Sequence, residues 1–106
     1  MSKYLIEATY TAEGVRGLRE NNADARTAVL KKALRALDGQ LECAYWCLGE
    51  RDAIAIVELP NSVAATAFSA TITASGLVRT TTTPLLTAEE LDAALSRYID
   101  YIAPGH

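Results

Sequence analysis

Strand-like and helix-like hydrophobic patterns alternate along this chain, and their order is what most limits its fold. Stretches rich in aromatic and β-branched residues predict strands, and stretches with a 3.6-residue apolar period predict helices. The predicted strands are residues 3–10, 40–48, 53–59 and 77–83, and the predicted helices are a short 11–22 followed by 25–37, 61–75 and 87–102. This β-α-β-β-α-β order with a terminal helix predicts an α+β fold of the ferredoxin-like type. Right-handed crossovers then place the first and third strands at the centre of one antiparallel sheet, with helices on one face.

Local signals place the ends of these elements. Thr11 is predicted to cap the short first helix, which Gly14 and Gly17 are expected to interrupt. Asp24 is predicted to cap the next helix, and Gly39 is expected to end it. Pro84 is expected to close the fourth strand, and Thr87 with Glu90 predicts a capping box for the last helix.

Both faces of the predicted sheet carry apolar residues. Strand alternation predicts Leu5, Trp46, Leu48, Ile54 and Ile56 on one face, and Ile6, Cys43, Val57 and Leu59 on the other. The whole chain is 50% hydrophobic and only 22% charged. A sheet that is apolar on both faces needs a second layer, and another copy of the chain is the simplest supplier. We therefore expect a homodimer with its sheets face to face.

Size and charge limit the classes of function. The chain has 106 residues, which predicts one domain over residues 1–102 with a disordered tail at 103–106. Its net charge is -3, with 10 basic and 13 acidic residues, which argues against binding to nucleic acid or to an anionic membrane. There is no long apolar run and no signal-peptide pattern, so we expect a cytoplasmic protein.

The usual residues of metal and cofactor chemistry are missing. Cys43 and Cys47 lie in one predicted strand about 13 Å apart, beyond disulfide reach, and are expected to be small core residues. The single histidine, His106, stands at the chain end, so no metal site is predicted. No hydrolytic triad and no glycine-rich phosphate loop is present, and no cofactor is predicted.

Aromatic residues are the first candidates for a binding site. Trp46 and Tyr45 are adjacent in the second strand and so point to opposite faces, and Tyr4 and Tyr10 belong to the first strand. Each either packs in the core or lines an aromatic pocket, since tryptophan and tyrosine combine a flat apolar ring with a polar tip.

Charged residues within the strands are the second candidates. Glu7, Glu58 and Arg79 are expected inside strands, where a buried charge is costly unless it is paired. One alternative is that these side chains lie at exposed strand ends. The other is that Glu7 and Arg79 form an ion pair at a binding site. Arg79 would then anchor an anion, and Glu7 would be the partner of Arg79 or a general base.

Several fragments in order make the chain resemble the GYD domain family, small prokaryotic proteins named after a hairpin motif. The fragments are Tyr4-Leu5-Ile6, Tyr10-Thr11-Ala12-Glu13-Gly14, Gly49-Glu50-Arg51-Asp52, Val78-Arg79-Thr80-Thr81-Thr82 and Thr87-Ala88-Glu89-Glu90. The resemblance covers about residues 3 to 95 and implies a ferredoxin-like fold that assembles as a dimeric α/β barrel. Two departures are Arg51, at the aromatic position of the motif, and the absence of a proline that often follows the first helical segment, around Asn22 to Ala25. Gly49 and Asp52 are expected to serve as turn residues.

Three functions remain open at this stage. The leading hypothesis is a homodimeric binding or accessory protein that holds a small apolar or aromatic molecule in a sheet-lined cavity, with Trp46, Tyr4, Tyr45 and Arg79 as ligand-binding residues. The second is a cofactor-independent monooxygenase or isomerase, by analogy with dimeric α/β barrels, in which Trp46, a tyrosine and Arg79 orient a ring and Glu7 handles a proton. The third is an oligomerisation or interaction module.

Overall fold

The computed structural model describes residues 1–106 and has the predicted order of elements. They are β1 Ser2–Tyr10, α1 Ala12–Ala36, β2 Gln40–Trp46, β3 Ala53–Leu59, α2 Ser62–Ala74, β4 Val78–Leu85 and α3 Ala88–Leu95. The strands form one antiparallel sheet in the order β2-β3-β1-β4, so β1 and β3 are central, as predicted. The α+β, ferredoxin-like fold class is confirmed.

Both long helices lie on one face of the sheet, here called the inner face. Its buried core joins Tyr4 and Ile6 of β1, Val57 and Leu59 of β3, Leu34 of α1, and Ala65 and Phe68 of α2. Only nine of the 106 residues are buried. The opposite face, here called the outer face, is not covered by any element of the same chain, since both helices supply the inner-face core.

A register irregularity in β2 corrects the predicted faces of that strand. Between Leu41 and Cys43 the pairing with β3 shifts, so that Cys43 lies opposite Ile56 and Trp46 lies opposite Ala53. A bulge of this kind adds one residue, and a one-residue shift moves every following side chain to the other face. Trp46 therefore shares the inner face with Ala8, and Cys43 shares the outer face with Leu5. The prediction that placed Trp46 with Ile54 and Ile56 was wrong.

The first two predicted helices are one bent helix. Thr11 caps α1, as predicted, and accepts a hydrogen bond from Gly14 N at 3.1 Å. Gly14 and Gly17 do not interrupt α1; the bend lies at Asn22, whose φ is 67°. The Asn22 side chain accepts from Ala25 N at 2.9 Å, so Asn22, and not Asp24, caps the second half.

The glycines that the sequence places near the ends of α1 are needed for close approach. A Cβ on Gly14 would lie 2.3 Å from the Leu77 carbonyl oxygen, where the start of α1 meets the chain leading into β4. A Cβ on Gly39 would lie 2.5 Å from the Glu58 carbonyl oxygen. The left-handed position that ends α1 belongs to Asp38, with φ 59°, which corrects the assignment of that role to Gly39.

The C-terminal elements differ from the prediction in length. Pro84 lies within β4 opposite Tyr4, which an edge strand tolerates because it has a side without ladder partners. Thr87 and Glu90 form the predicted capping box, with bonds of 2.9 and 3.1 Å. Hydrogen bonds that the Thr87 backbone N–H and, second, its hydroxyl donate to the Glu90 carboxylate lower the pKa of Glu90. The helix ends at Leu95, however, and does not reach Ile102.

No helix of the chain combines the length and the apolar character that crossing a membrane requires.

Candidate functional site

A cleft between α1 and α2 on the inner side has a volume of about 460 Å³. We call it the helix cleft. Half of its lining is apolar, and the polar part comes mainly from the bend of α1. Its lining includes Tyr10, Asn22, Arg26, Val29, Ile72 and Val78.

A second hollow continues from the helix cleft toward the sheet. It has a volume of about 40 Å³ and an almost wholly apolar lining, and we call it the apolar recess. The two hollows share Tyr10, Arg26, Ile72 and Val78 as lining residues. A volume of this size admits about one water molecule or one methyl group, so the recess can receive only a small substituent of a larger ligand.

Two aromatic rings from neighbouring parts of the sheet meet in the apolar recess. The ring centroids of Tyr10 and Trp46 lie 5.8 Å apart with an interplanar angle of 33°. This separation lies in the range in which aromatic pairs attract each other. Trp46 is 37% exposed, so part of its ring remains open to a ligand or to solvent.

Arg26 brings a positive charge to the junction of the two hollows. Burial raises the pKa of the Tyr10 hydroxyl above its ordinary value, the nearby Arg26 guanidinium opposes that rise, and the Asp52 carboxylate adds to it. The side chain of Arg26 is half-buried and forms no salt bridge with a carboxylate. The junction therefore combines an apolar wall, two aromatic rings and a cation without an acidic partner.

The raised pKa of Tyr10 predicts a loss of stability at alkaline pH. The folded state disfavours the tyrosinate form of Tyr10. The contribution of the neutral side chain to stability is therefore complete below the ordinary tyrosine pKa of 10.0, and it is lost as pH rises through the higher pKa of the folded state. Tyrosinate absorbance should show this titration as the difference between the wild type and Tyr10→Phe. A difference spectrum that titrates at or below 10.0 would contradict the prediction.

The hairpin between β2 and β3 fixes the position of Tyr10. Asp52 accepts a hydrogen bond from Tyr10 N at 2.8 Å through its Oδ2, and its own N donates to the Ala8 carbonyl at 2.9 Å. Its carbonyl also accepts from Cys47 N at 2.9 Å. Asp52 thus ties the hairpin to the end of β1. Gly49 has no positive φ, and a Cβ there would meet nothing within 4 Å.

Replacement of Asp52 by alanine should release this tie. The partly buried Tyr10 N–H would lose its acceptor, which is expected to cost about 1–3 kcal/mol of unfolding free energy. Urea unfolding measures the loss. Asp24→Ala is the matched control, because Asp24 is exposed and does not cap α1, and a change within about 0.5 kcal/mol is expected there. Equal losses in both variants would contradict the role of Asp52.

The charged candidates lie on the outer face, away from the aromatic pair. Glu7 Oε2 lies 3.5 Å from Arg51 Nε, so Glu7 pairs with the hairpin arginine. Arg79 is exposed, lies opposite Thr9 in the sheet and is not the partner of Glu7. Of the two alternatives, the ion pair of Glu7 and Arg79 does not form, because Arg51 reaches Glu7 instead. Glu58 lies 3.8 Å from Lys3, whose closer partner is Glu42 at 2.5 Å.

The other predicted binding residues are separated by the same division between faces. Tyr4 is buried in the core, and Tyr45 is 66% exposed on the outer face opposite Ile54. Of the four predicted ligand-binding residues, Trp46 and Tyr45 line the apolar recess, and only Trp46 pairs with Tyr10. Arg26 is not among the residues predicted to form a site. The signal in the sequence is its spacing. Arg26 precedes Leu30 by four positions and Leu34 by eight, which places it on the same side of α1 as these two core leucines.

Neither cysteine belongs to the core. Cys43 and Cys47 are half-buried and unbridged, and the Cys47 thiol donates to the Arg51 carbonyl at 3.2 Å. This corrects their assignment as core residues, since β2 brings Cys43 to the outer face and Cys47 follows the end of the strand. The chain has no group of three or more histidine, cysteine, aspartate or glutamate residues placed to hold a metal ion.

Comparison with known proteins identifies one family. A family model described as GYD domain matches residues 4–95, which run from β1 to the end of α3. No curated protein and no solved structure matches the chain.

Proposed function

The chain belongs to the GYD domain family, and on that premise we propose that it is a small-molecule binding protein whose helix cleft takes a flat aromatic anion. The observation that carries the proposal is the meeting of Arg26 with the Tyr10–Trp46 pair where the helix cleft opens into the apolar recess. The ring of the ligand would lie in the cleft against Tyr10, which packs on Trp46 in the recess, and its anionic group would face Arg26.

The dimensions of the cleft support a ligand of this size. Pockets for small molecules range over about 300–1,000 Å³, and the helix cleft has about 460 Å³. The apolar recess beneath it is too small for a ring, so it would accept only a methyl-sized substituent. One or two fused rings with a carboxylate are therefore the class of ligand that fits.

The charges support an anion over a neutral ligand. Arg26 has no carboxylate partner in the chain, so an incoming anion would not have to displace one. The guanidinium is planar and offers paired donors that match the geometry of a carboxylate. Hydrogen bonds to charged groups contribute about 1.5–3 kcal/mol, enough to favour an anion over its neutral analogue by about tenfold or more.

Self-association through the outer face is the second part of the proposal. Leu5, Ile54 and Ile56 share that face, and the helices of the same chain leave it uncovered. A second copy would bury these residues and give the sheet its missing layer.

The monooxygenase or isomerase alternative is less well supported. It requires Trp46, Arg79 and Glu7 around one ring, whereas Trp46 is on the inner face and the other two residues are on the outer face. The alternative of a pure interaction module accounts for the outer face but gives no role to the helix cleft.

A titration with 2-naphthoate tests the binding proposal, with the neutral 2-naphthamide as the matched ligand. Trp46 is the only tryptophan and packs on Tyr10 where the recess meets the cleft, so its fluorescence reports on a ligand bound at that junction. We expect quenching by both compounds and affinity about tenfold or more higher for the carboxylate.

Two variants decide whether the preference arises at Arg26. Arg26→Met, which keeps an unbranched apolar stem and removes the charged guanidinium group, should bind the two compounds equally. Arg79→Met removes a charge from the outer face and should keep the preference. No quenching in the wild type, or an anion preference that survives in Arg26→Met and is lost in Arg79→Met, would overturn the proposal.

A further inference from the structure

The residues after β4 carry a series of apolar side chains that nothing in the chain covers. We call residues 86–106 the C-terminal arm. Helix α3 within it buries none of its residues, and Tyr98 beyond it is 89% exposed. The radius of gyration is 16.8 Å, whereas a compact chain of this length has about 13 Å. The C-terminal arm therefore projects away from the sheet.

The exposed apolar residues of the arm follow a helical period across the point where α3 ends. Continuation of the helix to residue 102 would align five large side chains on one face, namely Leu91, Leu95, Tyr98, Ile99 and Ile102, all exposed in the single chain. Short helices are marginal in water and depend on the packing of such a face. The end of α3 at Leu95 is thus what an amphipathic helix without a partner should show.

The charges of the arm identify a partner surface. The arm has four acidic residues, Glu89, Glu90, Asp92 and Asp100, against one basic residue, Arg97. Helix α1 has the opposite balance, with six basic residues and three acidic ones. Three of its cations, Lys31, Lys32 and Arg35, are exposed in the second half of α1, together with the exposed Val29. Complementary charge of this kind selects the partner and its orientation.

The topology favours a second copy over the same chain. The arm leaves the sheet from β4 at one edge, whereas α1 packs mainly over the β2 side, at the opposite edge. A neighbouring copy would present α1 to the arm without the arm having to cross its own molecule.

We propose that the C-terminal arm docks on the outward side of α1 in a second copy of this chain, and that its helix extends to Ile102 when it does so. The apolar face of the arm then packs beside Val29, and Asp92, which borders that face in the extended helix, lies near Lys32 and Arg35. Two copies related by a two-fold axis exchange arms, so each interface contains the contact twice. Val29 also lines the helix cleft, so the arm docks along the rim of the cleft. The contact goes beyond the binding of a ligand there, because its test measures association without any ligand.

A charge-swap experiment tests the contact in the full chain. The first variant is D92K, which reverses the charge at the border of the apolar face of the arm, and the second is K32E/R35E, which makes the outward side of α1 acidic; both leave the Thr87–Glu90 capping box intact. Each variant alone should associate about tenfold or more weakly than the wild type in analytical ultracentrifugation, because like charges then face each other. An equimolar mixture should recover association to within about threefold of the wild type, since both contacts of the mixed dimer are again complementary.

The mixture separates the proposal from its rivals. Arms that fold back onto their own chain would gain nothing from mixing, so an unrescued mixture overturns the proposal. Unchanged association in both variants also overturns it, as does a monomeric wild type.

Truncation after Leu95 provides a second measurement that needs no charge change, and it should weaken association by about a hundredfold through loss of the apolar side chains. Circular dichroism should also show more helix in the associated wild type than in the monomer, and an unchanged helix content would overturn the extension to Ile102.

Discussion

Replacement of Leu34 by alanine is expected to lower the free energy of unfolding by about 3–5 kcal/mol. Leu34 is completely buried, and it joins α1 to the core residues of β1, β3 and α2. Removal of its side chain loses the transfer free energy and leaves a cavity that the surrounding core cannot fill completely. Small domains are stable by only about 5–15 kcal/mol, so this loss is a large fraction of the total.

Urea unfolding measures the effect, and the slope of the transition must stay constant for the comparison to be valid. Val63→Ala is the matched control, because Val63 is 79% exposed on α2 and its truncation should change stability by no more than about 0.5 kcal/mol. A loss below about 1 kcal/mol for Leu34→Ala would contradict the position of the core.

A charge on the outer face should dissociate the proposed homodimer. Leu5 lies on the central strand β1, opposite Ile56 of β3 and Thr83 of β4. Leu5→Lys places an ammonium group where the second sheet would exclude water, and an unpaired buried charge is expected to cost about 3 kcal/mol or more. The dimer should therefore weaken by about a hundredfold or more, measured by analytical ultracentrifugation.

The folded monomer should survive that change, since the outer face of a single chain is open to water. Val63→Lys makes the same kind of substitution on the exposed side of α2 and should leave association unchanged. A Leu5→Lys protein that associates as tightly as the wild type would show that the outer face is not the interface.

The order of elements was predictable because it depends on local periodicity and caps. Thr11 and Thr87 cap their helices as their sequence contexts indicate, and the sheet order follows from the right-handed crossovers. The faces of β2 were not predictable in this way. The bulge between Leu41 and Cys43 has no glycine or proline to mark it, and it moves Trp46 to the inner face.

The end of the last helix shows a different limit. The apolar period continues to Ile102 in the sequence, but α3 ends at Leu95 in the single chain. A periodic pattern indicates which face a helix would bury, whereas the helix itself depends on what it packs against. The sequence pattern therefore contains information about a partner that one chain cannot supply.

The candidate site was predictable only in part. Trp46 was identified by its residue type, whereas Arg26 and Tyr10 become a site through the packing of α1 against the end of β1. Glu7 and Arg79 are both on the outer face, as their positions in the strands allow, but Arg51 of the hairpin is the residue that pairs with Glu7. A contact between a loop residue and a strand depends on the path of the loop, which periodicity does not describe.

A crystal structure of the protein with 2-naphthoate is the most direct test of the binding proposal. The proposal predicts that the ring lies in the helix cleft against Tyr10, which packs on Trp46, with the carboxylate within hydrogen-bond distance of Arg26. A ring on the outer face, packed on Leu5 and Ile54 with its carboxylate at Arg79, would contradict it.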